Sequence, residues 1–411
     1  MAMTAALDAQ LSLPSGSQTR EAKMIFYLCV AMALWLMSAP SIFSLRSTGI
    51  SLVLGTVLVW SVCALRFETG FDWMVYESYF NAIAQSPFLA QPQDVVAMEP
   101  LFYLLNYLIA QIGNFQLFLL VVGTINILSA VYFLQRFDIR VVFGLAYVFC
   151  WVFLPLELGT IRQSLAVSAL LVCLTLLADG KGKWSVLWFI AAVGFQYSAL
   201  IYGIVYVRKA LRPLMHHAAA VAVVCFVFYC IAPAGIGQAT LALGSGLDIP
   251  FISEKLAVYA DFGGSPRSVA GYGFILFNCA LLVATRYTLD YQAPRYVLLV
   301  SLLLCLIFAQ ALLFDFALIW NRVHYLAAFV QAILIYDILA TQTMPIRVPA
   351  FVLVMALSIA AIGLFLRSPA ALLFVPYQSY VSKEWSNTAS DGRERTLEYY
   401  RMFEASKAQN N

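Results

Sequence analysis

Charge is what this chain has least of. Of its 411 residues only 11% are Asp, Glu, Lys or Arg, while 63% are hydrophobic. A soluble domain carries about 25% charged residues. Twenty-four basic and 21 acidic side chains are too few to cover a soluble protein of this length. The shortfall excludes an ordinary soluble enzyme, a disordered chain and a nucleic-acid binder. Other machinery is missing too. There is no phosphate-binding P-loop, no HExxH and no GxSxG, so no nucleotide, zinc-protease or lipase site is offered. The eight cysteines, all inside apolar runs, show neither CxxC nor Cys/His spacing, and they read as small buried apolar residues. His216, His217 and His324 are too scattered for a metal cluster. No metal and no cofactor are expected. No Gly/Pro-rich linker divides the chain, so it reads as an N-terminal tail (1–23), one membrane domain (24–366) and a polar C-terminal tail (367–411).

What is present is apolar sequence in span-length runs. A membrane helix needs about 20 apolar residues. The runs at 24–44, 50–66, 115–134, 141–158, 160–178, 218–234, 269–286, 296–319, 323–340 and 348–366 qualify. The run 100–112 is too short to cross upright, and 184–207 is interrupted by Gln196, Tyr197 and Ser198. The expected fold is all-α: a polytopic membrane bundle of ten to twelve spans, with half-helices or re-entrant segments and outward-facing loops. Residues 73–84 read as a short interfacial helix and 393–408 as a soluble one.

Arg136, Arg140, Lys181, Lys183, Arg208, Arg286, Arg295 and Arg347 fall in short loops of one face, and Glu68, Asp72, Glu77, Glu99 and Asp261 in two longer loops of the other. Basic loops stay cytoplasmic, so the acidic, aromatic loops face outward. That assignment requires 100–112 and 184–207 not to cross fully, or to pair as a hairpin. It puts the N-terminus outside, against Arg20 and Lys23.

Charges at span ends carry the functional signal, because burying one costs several kcal/mol unless it is paired. Arg66 opens the string Arg66-Phe67-Glu68-Thr69-Gly70-Phe71-Asp72-Trp73-Met74-Val75-Tyr76. Gly70 permits a sharp turn, and a helix starting near Asp72 would be capped by it. An aromatic-anchored interfacial helix explains the same string. Arg162 follows Pro155 and Gly159, which are expected to break the preceding helix, and Gly159 or Thr160 would cap the next. A cation in a first turn opposes the helix dipole unless an anion joins it. A pair with Glu157 is the plainer alternative. Arg322 follows Trp320-Asn321, and it either pairs with Asp315 or chelates phosphate oxygens. Among the acids, Asp72 and Glu99 flank the first long loop, where a partly desolvated carboxylate would serve as a base.

These residues resemble the EpsG family of polysaccharide-polymerase-like membrane proteins, related in function to the Wzy O-antigen polymerases. The string from Arg66 to Tyr76 is similar to the family's R-x-x-x-G-x-D-Y/W-x-x-Y pattern. Glu99-Pro-Leu-Phe, Ile161-Arg162-Gln163, Phe195-Gln196-Tyr197-Ser198, Lys255-Leu-Ala-Val-Tyr259, Asn321-Arg322 and Pro376-Tyr377 follow in order across about residues 24–380. The family usually has histidine where Gln196 stands. Glutamine hydrogen-bonds a sugar but takes no proton at neutral pH. The resemblance implies an enzyme of the bacterial inner membrane, with its site facing outward, that joins lipid-linked oligosaccharide repeat units. The donor glycan would leave undecaprenyl diphosphate for the non-reducing end of a lipid-linked acceptor. It implies Asp72 or Glu99 as base and Arg66, Arg162 and Arg322 on the diphosphate. Gly70, Trp73, Tyr76, Gln163, Gln196, Tyr259 and Tyr377 would meet substrate. The activated leaving group makes a metal unnecessary in principle. The implied partners are donor and acceptor glycolipids, membrane lipids, and a flippase and chain-length regulator; no nucleic acid is expected. A ligase, an acyltransferase acting on polysaccharide, a GT-C glycosyltransferase and, further off, a transporter are the competing readings.

Overall fold

A computed structural model describes residues 17–44, 49–88, 90, 98–208, 217–232, 269–290, 293–312, 314, 324–386 and 390–410. Arg322, Asp315, Tyr259 and Asp261 lie outside these. All regular structure among the described residues is helical, apart from one isolated antiparallel bridge between Arg66 and Ser379. The all-α polytopic membrane architecture expected from the apolar runs is what the chain adopts. Two compact units result, one of Ala2–Tyr197 with Thr343–Asn411, the other of Ser198–Gln342.

The first unit begins with α1 (Ser17–Ser44), α2 (Gly49–Ala64), the short α3 (Trp73–Ala84), α4 (Pro100–Ala110), α5 (Phe115–Arg136), α6 (Val141–Gly159), α7 (Ile161–Ala178) and α8 (Gly182–Phe195). A 3-10 helix over Tyr197–Val207 leads into the second unit, which holds α9 (Ala218–Ile231), α10 (Val269–Thr288), α11 (Pro294–Leu312) and α12 (Tyr325–Thr341). The first unit resumes with α13 (Met344–Arg367), a 3-10 turn at Pro369–Leu373, α14 (Tyr380–Ser386) and α15 (Gly392–Asn410). Among the described residues, five helices, α5, α6, α7, α11 and α13, are long and apolar enough to cross a membrane. Only 17% of the apolar window of α13 is buried in protein, and Val352, Leu353, Leu357 and Leu364 are exposed along it. Such a face is stable against lipid rather than water.

The uncertain runs resolve by length and by a break. Helix α4, with 11 residues, rises only about 16 Å, half of a roughly 30 Å hydrocarbon core. The run 184–207 is not one span: α8 stops at Gln196, whose backbone is extended, and a 3-10 helix follows. Pro155 does not break α6 as expected. The helix widens into π geometry over Phe149–Gly159 and carries the proline inside it, since wider turns relieve the clash of a ring that lacks an N–H. Nor are all cysteines buried: six are, but Cys29 is exposed and Cys230 partly so.

Within the first unit one end carries the short basic loops and the other the longer acidic segments, together with Arg66, Arg162, Arg393 and Arg395. Arg136 pairs with Asp179 at one end, near Lys181, and Arg347 reaches the Ile42 carbonyl. At the other end lie the loop after α2, all of α3, the starts of α4, α5 and α7, and the C-terminal helices. Tyr27 donates to the Phe374 carbonyl (3.0 Å), which places the start of α1 at this second end. In the second unit, Arg295 and Tyr296 both bond Asp337 (2.6 and 3.0 Å), and Gln331 donates to Asn278 (2.8 Å) inside the packing.

Candidate functional site

The segment Arg66–Tyr76 lies alongside Glu157–Arg162, contact for contact. Arg66 Nη1 donates to the Glu157 carbonyl (2.6 Å). Gly70 sits on Leu158, the Asp72 amide reaches the Gly159 carbonyl (3.4 Å), and the Arg162 guanidinium stands 6.0 Å from the Tyr76 ring centroid. Two glycines make the approach possible. Gly70 has φ +121°, and a Cβ there would stand 1.9 Å from the Leu158 carbonyl oxygen. A Cβ on Gly159 would meet the Phe71 ring at 2.5 Å. The C-terminal segment closes the opposite side: the Phe67 amide donates to Gln378 (2.9 Å) and the Gly70 amide to Leu373 (3.0 Å).

Arg162 stands in the first turn of α7, and its counter-ion is Glu99, not Glu157. Nη1 lies 2.7 Å from Glu99 Oε2, with 16% and 1% side-chain exposure respectively. Glu99 occupies the N-cap position of α4, ahead of Pro100, without a side-chain capping bond. Its Oε1 and the Arg162 Nε are buried and make no hydrogen bond among the described residues. Capacity therefore remains on both charged groups. Tyr76 also bonds Arg162. Tyr79, which sequence reasoning passed over, stacks on Phe102 at 5.9 Å, and its buried hydroxyl makes no hydrogen bond among the described residues. Burial, together with the phenol of Tyr103, pushes the Tyr79 hydroxyl up to about 12, against the pull of Arg162. Tyr79 therefore stays protonated as a donor at neutral pH.

Arg66 is fully buried. Besides Glu157 it bonds the Cys63 carbonyl (3.2 Å), and its Nε and Nη2 make no hydrogen bond among the described residues. The Glu157 carboxylate, also buried, lies within its field. Asp72 holds the N-cap position of α3 but makes no side-chain cap. It is near enough to raise Tyr399 and Tyr400 of α15, although burial is the larger cause for both. Thr160 precedes α7 and does not cap it; its hydroxyl donates back to the Pro155 carbonyl (3.1 Å). Gln163 and Gln196 are both buried, the latter ending α8 beside the core packed on Phe102. Tyr377 is occupied by structure: its ring stacks on Phe26 at 4.5 Å and its hydroxyl donates to Val62 (3.2 Å). Trp73 is nearly buried, donates to Thr396 (3.0 Å) and lies under Arg393.

A buried carboxylate thus meets a guanidinium where the starts of α4 and α7 converge, and the low dielectric there strengthens their attraction. A family model, EpsG family, matches residues 50–379. The chain belongs to the EpsG family, a family of Wzy-like polysaccharide polymerases. No curated protein and no solved structure matches it. The protein is thus a multi-pass membrane enzyme of the polysaccharide-polymerase type.

Proposed function

We propose that the protein joins oligosaccharide repeat units carried on undecaprenyl diphosphate, on the outer side of the bacterial inner membrane. The observation that carries this is the buried Glu99–Arg162 pair with hydrogen-bonding capacity left on both groups. In the proposed step a sugar hydroxyl at the non-reducing end of the acceptor attacks the anomeric carbon of the donor. The new C–O bond forms as the bond to the diphosphate oxygen breaks, and the electron pair leaves with the diphosphate. Glu99 takes the hydroxyl proton. Arg162, whose Nε is still without a partner among the described residues, meets the departing charge, and the buried Arg66 adds positive field. Arg322, the third arginine that the resemblance implies for the diphosphate, lies outside the described residues. Asp72 remains the second candidate base. Gly70 keeps the two segments in contact, while Tyr76 and Gln163 steady the guanidinium and the start of α7. Gln196 contributes a hydrogen bond to sugar rather than a proton transfer. The acidic end faces outward, with the basic loops of Arg136 and Lys181 in the cytoplasm. A flippase delivers the substrates and a chain-length regulator acts on the product.

Deleting the gene tests the reading. Loss of long polymer with single repeat units retained is the expected phenotype; loss of every surface-glycan form would assign the protein to an earlier step. Arg162→Lys, at normal protein level, is expected to lower polymerisation at least about 100-fold, because a point charge does not replace the planar fork. Glu99→Gln is expected to lose about 100-fold or more through the missing base. Full-length polymer from both strains would reject the assignment.

A further inference from the structure

Helix α3 has two working faces. Tyr76, Tyr79 and Phe80 point into the aromatic core beside Glu99 and Arg162. Trp73, Glu77 and Asn81 recur every four residues on another face, and all three line a separate cavity of about 220 Å³. Its remaining wall comes from the loop at Phe67–Thr69, the start of α5 with Asn114 and Gln116, and Tyr380. The two sites are therefore separated by one helix, about 10 Å across.

The chemistry of this wall selects its ligand. It carries three carboxamides, two carboxylates and aromatic rings, and among the described residues no arginine, lysine or histidine lines the wall. Asn114 Oδ1 accepts from the Leu117 amide and Gln116 Nε2 donates to the Arg66 carbonyl, which leaves Asn81 the uncommitted amide. The nearest cations are already engaged: Arg393 bonds Glu77 (2.9 Å) and Lys383 lies 4.4 Å over the Phe67 ring. A diphosphate would find no cation on the wall itself and would face Glu68, whose carboxylate is held by the Ser390 hydroxyl rather than by a cation among the described residues. A purely apolar ligand would strand the Asn81 amide. Amides and carboxylates beside aromatic rings suit a polyhydroxylated ring, whose hydroxyls both donate and accept while its C–H face packs on the aromatics. The space suits one sugar residue rather than a lipid tail. Residues beyond the family-matched segment hold part of this wall in place, since Ser390 bonds Glu68 and Arg393 bonds Glu77.

We infer that this cavity is a carbohydrate subsite, holding a non-reacting sugar of a repeat unit while the Glu99–Arg162 site acts on the linkage. The inference rests on the polymerase reading above. Asn81 is exposed on its helix, so its replacement spares the core. The experiment uses full-length protein reconstituted in vesicles with the lipid-linked repeat unit of the source strain. Asn81→Trp fills the cavity and is expected to raise KM for the repeat unit at least about 10-fold, with kcat within about twofold of wild type, as expected for lost substrate binding. Asn81→Leu, smaller and lacking the amide, should move KM in the same direction by less, and it covers the case in which the tryptophan fails to fold. Saturation-transfer NMR with lipid-free single repeat units, cut from the strain's own polysaccharide, should show contact with wild type and loss with Asn81→Trp. Unchanged KM and undiminished transfer in both variants would overturn the subsite. If wild-type protein makes no polymer in these vesicles, the polymerase reading falls; if wild type is active and both Asn81 variants keep its KM, the subsite alone falls.

Discussion

At the residue scale, the site depends on a few positions where chemistry and backbone geometry leave no substitute. Gly70 is the clearest. Its φ of +121° and the 1.9 Å approach to Leu158 combine a conformational cost with a collision against backbone. Gly70→Ala is expected to cost more than about 2 kcal/mol, seen as lost protein level and a lowered melting temperature in detergent. Glu77 behaves against intuition. Burial raises its carboxyl above the ordinary glutamate range, and Arg393 only partly offsets this. A raised folded-state value means that the folded protein binds the proton more tightly. Stability from this group is fully present below the unfolded value and is lost as pH rises through the folded one. As pH rises from the ordinary glutamate value of about 4.3 through the higher folded value, wild-type melting temperature should fall relative to Glu77→Gln, and melts of the two proteins on a rising pH series check the sign. Arg162 was legible in sequence as a cation in the wrong turn of a helix. Its partner was not: Glu99 lies 63 positions away, whereas the plainer alternative in the sequence was the nearby Glu157.

At the element scale, the C-terminal helix changes meaning. Residues 393–408 read as a soluble helix, and a helix over Gly392–Asn410 is present. Its docking had no sequence signature. Trp73 bonds Thr396, Tyr400 donates to the Phe71 carbonyl (2.8 Å), and Arg395 donates to Leu372 (2.9 Å). These contacts clamp the turn that carries Gly70 and Asp72, although they come from beyond the matched span of 50–379. Removing residues 391–411 is expected to reduce polymer at least about 10-fold with membrane insertion intact, because a site displaced by about 1 Å loses roughly two orders of magnitude. Glycan gels beside a membrane-fraction blot would check this. Full activity of the truncated chain would reduce the helix to an appendage. Thr396→Val should cost about 1 kcal/mol, the usual worth of one buried hydrogen bond.

At the scale of the whole molecule, charge sorting predicts orientation. Ile112 is exposed at the acidic end of the first unit, and Lys183 is exposed at the basic end. Cysteines introduced at these two positions, in a chain whose native cysteines are replaced by alanine, should differ. Ile112→Cys should react with an impermeant maleimide in intact cells, and Lys183→Cys only after lysis. The reverse pattern would invert the topology.

The membrane character and the helical class follow from the sequence by itself, as do the positions of α5, α6, α7, α11 and α13, the described helices long and apolar enough to span. Apolar runs and their interruptions act locally, and a lipid solvent forces every uninterrupted run into a helix whatever its neighbours. The short α4 and the break at Gln196 were legible for the same reason. What only the tertiary structure decided is who meets whom. Arg162 meets Glu99, Arg66 meets the Glu157 carbonyl 91 positions on, and Trp73 meets Thr396 across 323 positions. Such pairings depend on helix packing and on two glycines that let backbones touch. No local propensity encodes them, because the energy that selects each partner exists only once both desolvated groups have been brought together.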